Sequence, residues 1–188
     1  ELGFDALLGA LKTGKIDMVI SGMSPTPERL KEVAFSQPYM NVQQRVIVRK
    51  EDKDKFHSTK DFEGVRAGAQ KQTTQEELIK TELTGAVPTS LQKIPDLIMN
   101  LKNNKLDAVV MEEPVGEAYV SQNEDLAFAD VTFEKGSKDT AVAFPKDAPV
   151  LTEKVNASIK QINDQKLMDG YKKEANQLMF QKDQSFLQ

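Results

Sequence analysis

Residues 15–29 read KIDMVISGMSPTPER, and the pattern changes character along them. Lys15-Ile16-Asp17 closes an amphipathic helical run, and Met18-Val19-Ile20 reads as a short buried strand ending near Ser21. Gly22-Met23-Ser24 follows, and small residues at the C-terminal end of a strand leave backbone N–H and C=O groups within reach of a ligand. Thr26-Pro27-Glu28-Arg29 then opens a helix: threonine caps, proline is tolerated at the first helical position, and an acid suits the first turn. Arg29 is thereby held beside the strand end, where its two-pronged donor face could grip a carboxylate. The plainer alternative is an ordinary strand–turn–helix whose arginine pairs with a surface acid.

Working outward, the chain alternates helical and strand-like segments. Upstream, Ala6, Leu7, Ala10 and Leu11 share one helical face in residues 5–14, and Gly14 is a candidate C-cap. Downstream, Val33–Tyr39 is a short buried segment stopped by Pro38, Gln44–Arg49 a strand, and Lys50–Lys60 a charged loop. Strand Val65–Ala69 leads into Gln70-Lys71-Gln72-Thr73-Thr74-Gln75-Glu76, where either threonine can cap a helix running to Leu83. Such a helix start after a strand suits an anionic group, although the glycines and Gly-Lys-Ser/Thr of a phosphate loop are absent; a plainly capped helix is the alternative. A strand at Ala86–Thr89 and a helix ending near Asn103 come next. Strand Leu106–Met111 then runs straight into Glu112, either a solvated strand end or a carboxylate aimed into a cleft. Val115–Ser121 reads as a helix, Leu126–Phe133 as strand-like, Thr140–Phe144 as a strand, and residues 150–163 and 166–179 as terminal helices. The tail Gln181–Gln188 carries no clear pattern.

An internal echo links the two halves. Leu7-Leu8, Leu11-Lys12, Lys15-Ile16-Asp17 and Val19-Ile20 recur 90 residues later as Leu97-Ile98, Leu101-Lys102, Lys105-Leu106-Asp107 and Val109-Val110. The same helix–turn–strand unit used twice predicts two similarly built α/β lobes. Ligands bind beyond the C-terminal strand ends of open α/β sheets. Facing lobes would therefore gather Gly22–Arg29, Gln70–Gln75 and Glu112 around one cleft.

Bulk properties narrow the chemistry. Of 188 residues, 39% are hydrophobic and 29% charged, with net charge −4; this allows a real core in one domain or two small lobes. The basic residues are scattered, which argues against nucleic acid as a partner. No run approaches the roughly 18 apolar residues of a membrane span. With no cysteine and one histidine, His57 in a polar run, thiol chemistry, cysteine-ligated metals and a histidine triad lack raw material. No metal or cofactor is expected.

Taken together, the motifs resemble the extracytoplasmic polar-amino-acid-binding proteins of ABC importers, the bacterial solute-binding family that includes glutamine, histidine and arginine binders. The resemblance rests on Phe4-Asp5-Ala6-Leu7 before Leu11–Asp17, on Ser21–Ser24 with Thr26–Arg29, and on Val33–Tyr39. It continues through Gly68–Glu76 and Leu106–Val110 before Glu112. It implies a periplasmic-binding-protein-like (type II) fold: two α/β lobes joined by two crossing strands near 41–47 and 136–143. Lobe 1 would comprise 1–43 and 140–188, and lobe 2 residues 44–139. The implied ligand is a free polar L-amino acid. Its α-carboxylate would be held by Arg29 and by backbone N–H groups at Ser24 and Thr73. Its α-ammonium would meet the Gly22 carbonyl, the Ser24 hydroxyl and Glu112. Phe4 would pack on the ligand from lobe 1, Met23 lies within the binding turn, and Gln70 and Gln75 would line the second lobe.

The sequence departs from the family pattern at two positions: Glu112 stands where aspartate is common, and Gln72 replaces a frequent glycine. The family also normally carries a strand, a helix and another strand before Phe4, so lobe 1 is expected to be incomplete at its N-terminus. That leads to an expectation of a truncated chain, or of self-association to complete the lobe. The resemblance further implies membrane permease subunits as partners, and an extracytoplasmic location as a cell-surface lipoprotein or in the periplasm, after export by a signal peptide. Three alternatives are a sensory domain of the same fold in a receptor, a fragment no longer competent to bind, and an enzyme such as a dehydratase of prephenate-like acids. An enzyme would need an acid or base over a scissile bond, and only Glu112 is so placed; no catalytic role is expected.

Overall fold

The computed structural model describes residues 2–184. In chain order, a 3-10 turn at Phe4–Ala6 precedes α1 (Leu7–Lys12), α2 (Pro27–Glu32), β1 (Ala34–Phe35) and β2 (Met40–Arg49). A second 3-10 turn, Lys50–Lys55, leads to β3 (Arg66–Gln70), α3 (Thr74–Glu82), β4 (Val87–Leu91) and α4 (Ile94–Lys102). Then come β5 (Ala108–Glu112), α5 (Glu113–Gln122), β6 (Leu126–Phe128), β7 (Ser137–Thr140), β8 (Ala143–Phe144), α6 (Pro149–Asp164) and α7 (Leu167–Gln184). The chain divides into two compact units, one of Glu1–Leu7 with Val42–Lys138 and one of Leu8–Asn41 with Asp139–Gln188. They are called here the central and flanking units. Strands β2 and β7 each run across the division and pair with one another. These are the crossing strands of a two-lobed α/β fold.

The central unit is built on a sheet of order β4-β3-β5-β2-β6. Strands β3, β4 and β5 are parallel, while β2 is antiparallel to β5 and β6. Parallel strands need crossover connections, and helices supply them here. On one face Leu78 and Ile79 of α3 pack with Val46, Val48, Ala67, Ala69, Ala108 and Val110. On the other, Leu97, Ile98 and Leu101 of α4 pack with Ile47, Val109 and Met111, joined by Val115, Tyr119 and Val120 of α5. The alternation along β2 and β5 thus feeds two cores from one sheet. Gly68 allows β3 to lie close under α4: a Cβ there would stand 2.6 Å from Leu106 Cδ1 and 2.8 Å from Leu97 Cδ2.

At the opposite end of the sheet Arg49 donates to the carbonyls of Leu101 (2.9 Å) and Leu106 (2.7 Å) and reaches Asp52 and Asp107. Arg66 closes a two-pronged pair on Asp107 at 2.7 and 2.8 Å. Those donors, Arg66 first, hold the Asp107 carboxyl down at about 2.

In the flanking unit β1 and β8 form an antiparallel pair, Ala34 opposite Phe144 and Phe35 opposite Ala143. Val142, Phe144 and Ile159 are its buried centre, with Ala34, Tyr39, Leu151 and Val155 against them. The segment expected to be strand Met18–Ser21 reduces to one bridge, Val19 to Ala143. Val19 is buried, whereas Met18 is 39% and Ile20 63% exposed, because the pleat turns its neighbours to the other side and nothing described here covers them. The expected strand 140–144 is split because its partner changes: residues to Thr140 pair with β2, Ala141 N–H donates to Met23 O, and β8 pairs with β1. The expected loop at 50–60 contains the Lys50–Lys55 turn, and only Leu126–Phe128 of 126–133 is a strand. Of the patternless tail, residues 181–184 belong to α7 and 185–188 lie outside the described residues.

The 90-residue echo corresponds to a shared helix ending. After α1, Gly14 N–H donates to Leu11 O and Lys15 N–H to Ala10 O; after α4, Asn104 N–H donates to Leu101 O and Lys105 N–H to Asn100 O. Both are Schellman caps, which need a left-handed residue just past the helix. Gly14 (φ 68°) and Asn104 (φ 57°) fill that place.

Candidate functional site

In the central unit β3 is followed by α3 on one face and β5 by α5 on the other. Adjacent parallel strands whose connections leave to opposite faces open a crevice at their C-terminal ends. Gln70 ends β3 and Glu112 ends β5, so the sequence-predicted residues of this unit stand around that crevice.

The helix start beside it is held tightly. Thr73 is the N-cap of α3: its Oγ1 accepts from Glu76 N–H (3.4 Å) and donates to Gln70 O (2.6 Å). Glu76 reaches back to Gln72 N–H at 2.8 Å, a capping box displaced by one residue. Gln72, where a glycine is frequent in the resembling family, holds φ 61°, the left-handed conformation that glycine adopts without strain. Gln70 Nε2 donates to Gln92 O at 2.9 Å.

Glu112 lies at the top of a ladder in which Val48 faces Ala108, Val46 faces Val110, and Gln44 faces Glu112. Two apolar pairs are thus followed by a polar one on the same face of the sheet. Burial pushes the Glu112 carboxyl up to about 7, with no basic neighbour among the described residues to lower it. Nearby Arg45 is committed elsewhere, to Glu113 at 2.7 Å and over the Phe128 ring.

Gln75, in the first turn of α3, is buried and donates through Nε2 to Gln44 Oε1 at 2.7 Å. Gln44 is buried too. The sequence reading of the site omitted it, yet the signal is visible: it interrupts the alternating apolar positions Val42, Val46 and Val48.

The flanking unit carries Gly22, Met23, Ser24 and Arg29 along one turn and the start of α2. Gly22 (φ 60°) donates its N–H to Tyr39 Oη at 3.2 Å, so Tyr39, also outside the sequence-predicted set, fixes that turn. Met23 is fully buried and its carbonyl accepts from Ala141 N–H at 3.0 Å. Ser24 is buried, and its carbonyl accepts from Arg29 Nη1 at 2.8 Å. Thr26 caps α2 by accepting from Arg29 N–H at 3.3 Å. Burial lowers the Arg29 pKa against the opposing pull of Glu28, but a guanidinium stays charged in proteins. Phe4 opens the first 3-10 turn and is grouped with the central unit. The structure therefore gathers Gln70, Thr73, Gln75 and Glu112 in one unit and Gly22, Met23, Ser24 and Arg29 in the other.

The half-buried carboxyl at the strand ends of the central unit and the half-buried arginine after the capped turn of the flanking unit are each suited to a charged group of a small polar solute. The sequence matches the family described as bacterial extracellular solute-binding proteins, family 3, over residues 1–176, and the chain belongs to that family. Such proteins act outside the cytoplasm and bind a solute without transforming it. The chain is 34% identical over 177 residues to the arginine-binding extracellular protein ArtP of Bacillus subtilis, covering 92% of this chain and 68% of that one. It is 35% identical over 126 residues to a probable histidine-binding protein of Campylobacter jejuni, covering 67% of this chain and 48% of the relative. A crystal structure of the amino acid ABC transporter substrate-binding protein AbpA from Streptococcus pneumoniae, bound to L-arginine, superposes with a TM-score of 0.90 at 38% identity. That match covers 95% of this chain and 75% of the other.

Proposed function

We propose that this protein binds a free polar L-amino acid, L-arginine first among the candidates, and delivers it to the permease subunits of an ABC importer. It would do so from the outer side of the membrane, as a cell-surface lipoprotein or in the periplasm. The α-carboxylate goes to Arg29, with the backbone around Ser24 and Thr73 as further donors. The α-ammonium goes to Glu112, the Gly22 carbonyl and the Ser24 hydroxyl. Phe4, Met23, Gln70 and Gln75 complete the set, with Met23 contributing backbone because its side chain is buried. The observation that carries this reading is Glu112: a carboxyl kept at about 7 by burial is a group in want of a cation. The names of the relatives, arginine above all, supply the ligand class.

Calorimetry across the L-amino acids tests it, on the full-length protein and on Arg29→Ala and Glu112→Gln. Removing one member of a desolvated charge pair costs about 2–5 kcal/mol, or about 30-fold to several-thousand-fold in dissociation constant. Arg29→Ala is expected to fall in that range. Glu112→Gln, which keeps the size and part of the hydrogen bonding, is expected to lose less. Binding of the parent's ligand within twofold by both variants overturns the assignment.

A further inference from the structure

The Gln44–Gln75 pair is costly as it stands. Each amide offers one acceptor oxygen and two N–H donors, and a single bond joins the two, Gln75 Nε2 to Gln44 Oε1. That leaves Gln44 Nε2 and Gln75 Oε1 buried with no partner among the described residues. The rest of the same sheet face is apolar, Val46 and Val48 opposite Val110 and Ala108, so two leucines would continue that core without orphaned atoms. Buried polar groups left unsatisfied in a folded protein call for an explanation, and an absent binding partner is one. Gln44 itself lies directly opposite Glu112 in the strand register.

We propose that Gln44 is a positioning residue of the binding site: by taking Gln75 Nε2 it turns Gln75 so that Oε1 faces the ligand. Beside the Glu112 carboxylate, that oxygen makes a pair of acceptors for the ligand's α-ammonium. The inference rests on the amino-acid-binding reading above and adds to it the residue that sets the central unit's acceptors against the α-ammonium. Both orphaned atoms then find partners. Ligand N–H groups donate to Gln75 Oε1 and to ionised Glu112, Gln75 Nε2 donates to Gln44 Oε1, and Gln44 Nε2 finds its acceptor in Glu112. Cross-strand neighbours have Cβ atoms about 4.5–5.5 Å apart, within reach for such a bond. Before binding, those two atoms are unsatisfied, the usual exchange of stability for function.

The test uses full-length protein with Gln44→Leu, Gln75→Leu and the double variant, titrated with L-arginine, L-lysine, L-histidine and L-glutamine, and melted without ligand. Gln44→Leu is expected to weaken binding of the parent's ligand at least tenfold, while the ligand-free melting temperature stays level or rises. Because Gln44 acts through Gln75, the double variant is expected to lose no more affinity than Gln75→Leu alone, the non-additivity that marks coupled residues. If Gln44→Leu does not fold, Gln44→Met carries the same expectations. The proposal fails if the parent binds and the Gln44 variants bind within twofold of it, or if the two losses add. It also fails if the ligand-free protein melts lower in step with lost affinity, since Gln44 is then merely structural. If the parent binds none of the four amino acids, the functional reading has failed first, and the unmutated protein alone shows it.

Discussion

Binding of a cationic amino acid to Glu112 is expected to be strongly pH-dependent, and the structure sets the magnitude. The carboxyl titrates at about 7 in the ligand-free protein because burial disfavours its charged form. Only the ionised carboxylate can pair with an ammonium, so the apparent dissociation constant is the intrinsic one divided by the ionised fraction. That fraction is about three-quarters at pH 7.5, one-half at pH 7 and about one-hundredth at pH 5. Affinity for L-arginine is therefore expected to fall about 75-fold from pH 7.5 to pH 5. The ligand's α-ammonium, the group paired with Glu112, stays protonated throughout. Titration calorimetry in buffers of different ionisation heat should also show about half a proton released per ligand bound at pH 7.

Stability runs the other way. A carboxyl whose folded pKa is raised favours the folded state at low pH, so ligand-free stability from this group declines as pH rises from the unfolded value, 4.5, through about 7. The full cost is at most about 3 kcal/mol above that range. Glu112→Gln removes both effects: its binding should be flat with pH, and ligand-free it should melt above the parent at pH 8. A parent affinity that changes less than threefold between pH 5 and 7.5, or the same slope in Glu112→Gln, refutes the reasoning.

Two further outcomes test the scaffold. Asp107 is held at about 2, chiefly by Arg66 and also by Arg49, so its folded pKa lies below the unfolded one. The stability it contributes is present above pH 3.8 and is lost as pH falls through about 2. Allowing for solvent screening, Asp107→Asn should cost about 1–2 kcal/mol in urea unfolding at pH 7; a loss under about 0.3 kcal/mol shows the network to be idle. Gln72 holds a left-handed backbone (φ 61°), so Gln72→Gly should be more stable than Gln72→Ala by about 1 kcal/mol. Equal midpoints for those two variants remove strain as the reason for the family's glycine.

The sequence by itself determined what is local or periodic. Thr26 and Thr73 as caps, Pro27 at a helix start, and the alternation that makes β2 and β5 two-faced all follow from short-range sterics and hydrogen bonding. So does the echo at 90 residues, because the left-handed cap after each helix demands a Gly14 or an Asn104 whatever surrounds it. Gly22, Met23, Ser24 and Arg29 are close in sequence, and Gln70, Thr73, Gln75 and Glu112 flank two strand ends, so motif spacing could group each set; Phe4 belongs to neither.

The tertiary structure decided everything that depends on which segments meet. Met18-Val19-Ile20 reads as a strand, but a strand needs a ladder, and only Val19 finds one. The run 140–144 reads as one strand but breaks where its partner changes from β2 to β1. Tyr39 could not be tied to Gly22 from spacing, since their bond spans a fold rather than a turn. Gln44 looked like one polar residue in a strand until the register set it opposite Glu112 and α3 laid Gln75 against it. The pKa of Glu112 is decided the same way: its chemistry is in the residue, but its displacement to about 7 comes from the burial that packing imposes.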